Sequence, residues 1–293
     1  MNAAPDLAGT FADAMPGISP GVYDERDFKA VAAIVYREAG ILLPSGKAML
    51  VYSRLSPLVR NSGRGTFAAY IQLIENDAEE RRKTVNALTT NHTFFYREAH
   101  HFEHFASEVR PHMLDDLRSG GSARIWSAGC SSGEEVFSLT MTLLGEDKAQ
   151  GEKIAKSDIK ILASDIADHA LKKASEGRYE ARDSQGLPAG LVRNWARIEG
   201  SQMVMAPQVR DLVQFKRLNL QGDWPMRRPF QVIFCRNVMI YFDQPTKERL
   251  VARFAQALAP GGYLYIGHSE RVSGPATDLL EPVGPTIYHR RGR

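Results

Sequence analysis

The chain reads as an α/β protein with a doubly wound, Rossmann-like sheet, preceded by an all-helical domain and carrying a small antiparallel insertion. Three observations carry that reading. From residue 24 to about 90, apolar residues recur at helical spacing and no segment alternates as a half-buried strand would. After residue 122, short β-branched or aromatic runs alternate with helical stretches, as in parallel strands joined by covering helices. From about 186 to 212 that rhythm breaks into a short helical piece followed by QMVMA beside Gly200-Ser201, which predicts a small antiparallel insertion. With 293 residues, 43% apolar and 24% charged, there is material for one full α/β domain and a smaller neighbour.

In chain order, residues 1–22 contain Pro5, Gly9, Pro16, Gly17, Pro20 and Gly21 and no apolar periodicity, so they are expected to form a flexible tail. A helical domain over 23–90 follows. Phe28, Val31, Ala32 and Val35 form one stripe behind Asp24 as cap, and Gly40 ends it. SGKAMLVYSRLSPLVRNSG reads as a second helix that Pro57 should kink or split. Thr66 caps a third stripe of Phe67, Tyr70, Ile71 and Ile74. Lys47, Arg54, Arg60 and Arg64 make this region basic, with Lys47 and Arg54 nearly on one face. The domain over 91–293 is expected to place strands at ARIWSAG, IKILASD, LVQFKRL, FQVIFCR, GYLYIGH and TIYHR. Its main helices fall at EEVFSLTMTLLG, ADHALKKASEG and PTKERLVARFAQALA.

Composition narrows the function classes. No stretch approaches the ~20 apolar residues of a membrane span, and no export signal is visible, so a cytoplasmic protein is expected. Cys130 and Cys235 are the only cysteines, too few for a disulfide framework. A net charge of +3 permits an acidic partner without the dense basic stripe of a nucleic-acid binder.

The most informative segment is IWSAGCSSGEEVFSL, a strand ending in Gly129-Cys130-Ser131-Ser132-Gly133 and opening into a helix. Such a turn lets a ligand approach the backbone closely and suits a nucleotide-like cofactor. The same five residues match the G-x-S-x-G nucleophile elbow, with Ser131 as nucleophile. That elbow needs several strands before it, and here everything before residue 122 reads as helix. Asp165 closes the second strand, where it can accept from ribose hydroxyls or cap the following helix. Glu134 and Glu135 at the helix start would repel a pyrophosphate but not a sulfonium, which favours S-adenosylmethionine over a dinucleotide.

FCRNVMIYF places Arg236, Asn237 and Tyr241 beyond the fourth strand, facing the glycine turn if the two strands are neighbours. ALTTNHTFFYREAHHFEHF presents Asn91, Thr93 and Arg97 at the expected domain junction. His100, His101 and His104 lack the H-E-x-x-H pattern, and packing or capping roles are expected rather than a metal.

TTNHTFFYREAHHF, SSGEE, ASDI, LNL, CRNVMIYFD and GGYLYIGHSE together closely resemble the CheR family of chemotaxis receptor methyltransferases, in order and spacing, over most of residues 25 to 290. The resemblance implies an N-terminal helical domain, an S-adenosylmethionine-dependent methyltransferase domain and a β-subdomain inserted before the third strand. Carried over residue by residue, it implies that Asn91, Thr93, Arg97, Glu135, Asp165, Asn219, Leu220, Arg236 and Asn237 contact S-adenosylmethionine, with Tyr241 close to the transferred methyl. The implied reaction esterifies receptor glutamates, with S-adenosylhomocysteine as the other product and Arg97 and Tyr241 orienting the acceptor. The strand-4 segment RNVMIYF is unlike the N-P-P-Y or D-P-P-Y type expected of an enzyme acting on amino groups of bases. The expected partner is the cytoplasmic helix of a receptor, met by a monomer. The hairpin around Gly200-Ser201 looks too short to grip a receptor tail peptide, so recruitment without that tether is expected.

Overall fold

The computed structural model describes residues 17–292, and residues 1–16, most of the expected tail, lie outside them. Two compact units divide between Thr90 and Asn91.

The first unit is helical: α1 (Glu25–Ala39), α2 (Ala48–Asn61), α3 (Phe67–Asn76) and α4 (Ala78–Leu88). Asp24 and Asp27 cap α1 reciprocally, each carboxylate accepting the other's backbone N–H, and Gly40 ends it with φ 71°. The apolar stripes meet in one core of Val31, Val35, Leu55, Phe67, Tyr70 and Ile74. Two expectations need correction. Pro57 does not split α2, because Leu55 and Val59 are buried on either side of it and the packed face carries the helix across the missing donor. Residues 17–22 belong to the unit rather than to a loose tail: Ile18 packs on the core and the Val22 carbonyl accepts from the N–H of Phe67 at 3.1 Å. Arg54, expected on a basic surface, donates to the Thr89 carbonyl at 2.6 Å and holds the end of α4. No helix among the described residues is long and apolar enough to cross a membrane.

The second unit begins with α5 (Ala99–His104), a π-helical turn (Phe105–Val109) and α6 (Arg110–Arg118). There follow β1 (Ala123–Ala128), α7 (Glu134–Leu144), α8 (Lys148–Ile154), β2 (Ile159–Asp165), α9 (Asp168–Glu176) and β3 (Arg178–Glu180). The chain continues through α10 (Ala189–Trp195), β4 (Ala196–Glu199), β5 (Gln202–Met205), α11 (Pro207–Arg210) and β6 (Val213–Arg217). It closes with β7 (Phe230–Cys235), α12 (Gln244–Ala257), β8 (Leu258–Ile266), β9 (Leu280–Gly284) and β10 (Ile287–Arg290).

The main sheet has the order β6-β2-β1-β7-β8-β10-β9, with β10 antiparallel to both neighbours. Alternate residues of a strand reach opposite helical layers. Trp126 packs on Phe254 of α12 with ring centroids 5.3 Å apart, whereas Phe234 stacks on Phe102 of α5 at 5.7 Å. The sheet is therefore doubly wound, and its order reverses between β1 and β7, the switch point at which sheets of this kind form their ligand crevice beyond the strands' carboxyl ends.

The insertion is a separate sheet of order β3-β5-β4. It starts at Arg178, not near 186 as the sequence suggested, because the three-residue strand β3 pairs with β5 and is too short to show alternation. Strands β4 and β5 turn on Gly200 and Ser201, as expected. Strand β9 had no predicted counterpart.

Candidate active site

The turn after β1 is held by close contacts that exclude side chains. A Cβ on Gly129 would stand 2.4 Å from a methyl of Val238, and one on Gly133 would stand 2.7 Å from the Tyr179 hydroxyl. Both glycines have positive φ, which favours residues without a Cβ. Val238 follows β7, so the turns after β1 and β7 touch across the switch point, as the sequence reading requires.

Asp165 organises this turn. Its buried carboxylate accepts from the N–H of Ser131 at 2.8 Å and of Ala167 at 2.9 Å, so it orders the glycine turn and the segment leading into α9; the N-cap of α9 is Ala167, so the capping role expected of Asp165 is not taken up. Burial pushes its pKa up, against the main-chain donors that pull it down. The Ser131 hydroxyl donates to the Asn91 carbonyl at 3.0 Å, which brings Asn91 to the same turn. The hydroxyl of Tyr179, from the inserted sheet, donates to the Ser132 carbonyl at 2.7 Å. Beside Asp165, the N–H of Leu218 bonds the Asp165 carbonyl at 2.9 Å, and Asn219 and Leu220 follow directly. Arg253 of α12 fixes that segment, donating to the carbonyls of Leu220 at 2.7 Å and Gly222 at 2.6 Å.

Across the crevice the organising groups are charged. Arg236, just beyond β7, is buried against the stacked rings of Phe102 and Phe234, at 5.4 and 5.9 Å from their centroids. Its guanidinium lies 3.5 Å from Glu135 and 3.5 Å from Glu98, and donates to the Arg97 carbonyl. Glu135 also accepts from the Ser127 hydroxyl at 2.8 Å. Burial raises the Glu135 pKa, with Arg236 and Ser127 opposing. Asn237 stands next in a left-handed conformation, φ 59°. Tyr241 ends the short 3-10 turn Met239–Tyr241 and is half-buried. Thr93 is half-buried between Asn91 and Arg97, and the Arg97 guanidinium lies 5.5 Å from the Phe94 ring centroid.

Hydrogen bonds thus join Asn91, Ser131 and Asp165 on one side, while Arg97, Arg236 and Glu135 form a second connected group. Backbone conformation marks the same places. Among the described residues, the non-glycine residues with positive φ are Tyr96, Glu98, Ser131, Asn237 and Thr286. Four of them border these groups, and Thr286 bonds His101 at 2.9 Å. Such conformations cost about 1–3 kcal/mol each and persist where surroundings over-determine them.

Sequence reasoning missed several supports. Glu270 is buried and accepts from the N–H groups of Gly267 at 2.6 Å, Met239 at 2.7 Å and Asn237 at 3.2 Å, tying the loop after β7 to the loop after β8. Its signal was a lone acid just beyond a strand, in GHSE. Glu98 and Tyr179 had no comparable cue. Among the described residues no group of three or more His, Cys, Asp or Glu converges as a metal site. The histidines bond to the C-terminal part of the sheet: His100 to the Pro285 carbonyl in the turn between β9 and β10 at 3.2 Å, and His104 to the Tyr265 hydroxyl of β8 at 2.9 Å.

This donor set fits S-adenosylmethionine. A glycine cradle, an acid at the second strand's tip and buried arginine with an Nε that has no hydrogen-bond partner suit a ribose and an amino-acid carboxylate. Comparison with known proteins agrees. Residues 91–288 match the model for the S-adenosylmethionine-binding domain of CheR methyltransferases, and residues 26–89 match the model for their all-alpha domain. A probable chemotaxis protein methyltransferase of Rhizobium etli is 42% identical over 261 residues, covering 87% of this chain and 96% of the relative. Chemotaxis protein methyltransferase 2 of Pseudomonas aeruginosa is 39% identical, covering 91% and 93%. The chemotaxis protein methyltransferase of Escherichia coli is 38% identical, covering 84% of each chain. With both of its units matched and relatives spanning nearly its whole length, the chain belongs to the CheR family of S-adenosylmethionine-dependent chemotaxis methyltransferases.

Proposed function

We propose that this enzyme methylates glutamate side chains on the cytoplasmic helices of chemotaxis receptors, giving methyl esters. The observation that supports this most directly is the pair of groups facing each other at the switch point, Asp165 with the glycine turn and Arg97 with Arg236 and Glu135. When bound, S-adenosylmethionine supplies an electrophilic methyl group on a sulfonium.

The chain's residues do the rest. Asp165 spends one main-chain bond on each carboxylate oxygen and keeps acceptor capacity for ribose hydroxyls. Asn219 and Leu220 are held beside it by Arg253, for the base. Arg236, Asn237, Asn91, Thr93 and Glu135 would hold the amino-acid end. A glutamate acceptor, with a pKa of about 4.3, is ionised at neutral pH, so no base is needed. Arg97 and Tyr241 orient the acceptor oxygen and exclude water; most of the rate comes from alignment. Too firm a grip on the ground-state carboxylate would be counterproductive.

Recruitment without a receptor-tail tether is part of the proposal. Strand β4, an edge of the inserted sheet, has only four residues, which offers few main-chain bonds to an added strand. Recruitment would instead use the basic face expected around Lys47 and Arg54 to meet an acidic receptor helix; with Arg54 engaged by Thr89, exposed Lys47 carries that contact. Transfer of labelled methyl to purified receptor tests the reaction: an alkali-labile product supports glutamate esters, and a base-stable one points to nitrogen. A receptor lacking its C-terminal tail should be methylated at the same rate, and a large fall would overturn the recruitment proposal.

A further inference from the structure

The Glu98 carboxylate meets cationic or cation-capable groups from four places in the chain. Its Oε1 lies 3.9 Å from Arg97 Nε and 3.1 Å from His268 Nδ1, and its Oε2 lies 3.5 Å from both Arg236 Nη2 and His101 Nδ1. These partners belong to its own loop, to α5, and to the loops after β7 and β8. The carbonyl of Arg97, in the peptide unit just before Glu98, also accepts from Arg236. Glu98 and Arg97 thus embrace one guanidinium with a main-chain and a side-chain acceptor.

The carboxylate is nearly buried, with its side chain 11% exposed, and burial works against its ionisation. Arg236 and the hydrogen bond with His268 outweigh that effect and hold its pKa below the usual glutamate range. Its backbone has φ 58°, a conformation that a glutamate adopts only under constraint. Glu98 Oε2, His101 Nδ1 and Arg236 Nε are all buried without a hydrogen-bond partner. Charge is balanced here, but hydrogen bonding is not saturated, as befits a group meant to aim other side chains rather than lock them.

We propose that Glu98 is a positioning residue of the methyltransferase site: it shares one negative charge between Arg97 and Arg236, keeps these like-charged groups together beside the cofactor, and links them to the loop after β8 through His268. The inference rests on the reading of Arg236 as a cofactor contact. Physically, two guanidiniums in a site of low dielectric repel unless an anion lies between them. Glu135 pairs with Arg236, while Glu98 is near both.

The test is a double-mutant cycle on the full chain, read by calorimetry with S-adenosylmethionine. Glu98→Gln keeps the shape and removes the charge, and should weaken binding about tenfold, equivalent to about 1.4 kcal/mol, with unchanged far-UV circular dichroism. In an Arg236→Gln background the same change should weaken binding less than about twofold, because the residue it acts through is gone. Effects that multiply in full would mean that Glu98 acts independently, and would overturn the proposal. Unchanged affinity in Arg236→Gln alone would remove the reading of Arg236 on which the inference rests. Should Arg236→Gln fail to fold, His268→Ala on the exposed side of the network replaces it in the cycle. It should weaken binding by about threefold alone and have no further effect on Glu98→Gln, whereas full additivity overturns the proposal.

Discussion

Asp165 and Glu270 occupy matching positions on opposite sides of the switch point. Asp165 is the last residue of β2 and Glu270 lies four residues beyond β8; both carboxylates are buried, and each collects main-chain N–H groups from the loops at the switch point. They differ in what they have left. Glu270 accepts three main-chain bonds, two of them on one oxygen, and joins two loops separated by more than twenty-five residues of sequence. Asp165 takes one bond on each oxygen, from its own loop and from the glycine turn. Of about four acceptor sites on a carboxylate, Glu270 uses three and Asp165 two, so Glu270 is the more fully engaged by the main chain and Asp165 retains more capacity for a ligand. Two acids in equivalent places can thus serve the site differently, and the difference is visible only in their hydrogen bonds.

That contrast predicts where substitutions hurt most. Glu270→Ala leaves three N–H donors without their acceptor and should cost about 4.5 kcal/mol or more of folding stability, since each lost bond to a charged group is worth roughly 1.5–3 kcal/mol. Urea denaturation checks this, and a loss below about 1 kcal/mol would show that the loops hold without it. Asp165→Ala should divide its effect. Stability falls by about 3 kcal/mol, two such bonds being lost, and affinity for S-adenosylmethionine falls at least about tenfold in calorimetry on folded protein. Equal affinity would leave Asp165 as structural as Glu270 and erase the comparison.

The two acids also show what was legible in the sequence. The strands before and after the glycine turn stood out because β-branched runs alternate with helical ones, and Asp165 followed because strand tips are where such folds place ligand contacts. Arg236, Asn237 and Tyr241 were expected beyond the fourth strand by the same logic of position, and they stand just past β7. Glu270 and Glu98 were not, because their partners are remote in sequence: Glu270 reaches back to Asn237 and Met239, and Glu98 reaches forward to Arg236 and His268. Periodicity cannot report such pairings. Strand β3 escaped for another reason, being three residues long and paired with β5, more than twenty residues away.

A third test sharpens the charged side of the crevice. Burial, with Arg236 and His100 adding to it, pushes the His101 imidazole down to about 3. In the unfolded chain it would take up a proton near pH 6.5, so between these values the unfolded state binds more protons and acid favours unfolding. Stability from this source is therefore full above about pH 6.5 and declines as pH falls, by about 2 kcal/mol at pH 5. The buried carboxylates Glu135 and Glu270, whose pKa values are raised, shift stability the other way. The measurement must therefore be a difference. His101→Asn should show a smaller loss between pH 7 and pH 5 than the native chain, and identical slopes would mean that the imidazole is not held neutral in the fold.

The smallest effect should come from Ser131, although its sequence context made it the most conspicuous rival for catalysis. Asp165 takes the Ser131 N–H, a bond that every residue except proline provides, so the turn's anchor does not depend on the side chain. The hydroxyl contributes one bond to the Asn91 carbonyl, and a neutral hydrogen bond of this kind is worth about 0.5–1.5 kcal/mol. Ser131→Ala should therefore lower stability within that range, loosen Asn91 slightly and raise the KM for S-adenosylmethionine by no more than a few fold, with kcat retained. A hydrolase elbow makes the opposite demand, because loss of its nucleophile removes turnover at unchanged binding. Methyl transfer assayed at saturating cofactor separates the two. If a folded, cofactor-binding Ser131→Ala enzyme transfers no methyl, the hydroxyl takes part in the chemistry, and the division between a main-chain-built side and a charge-built side of this site is wrong.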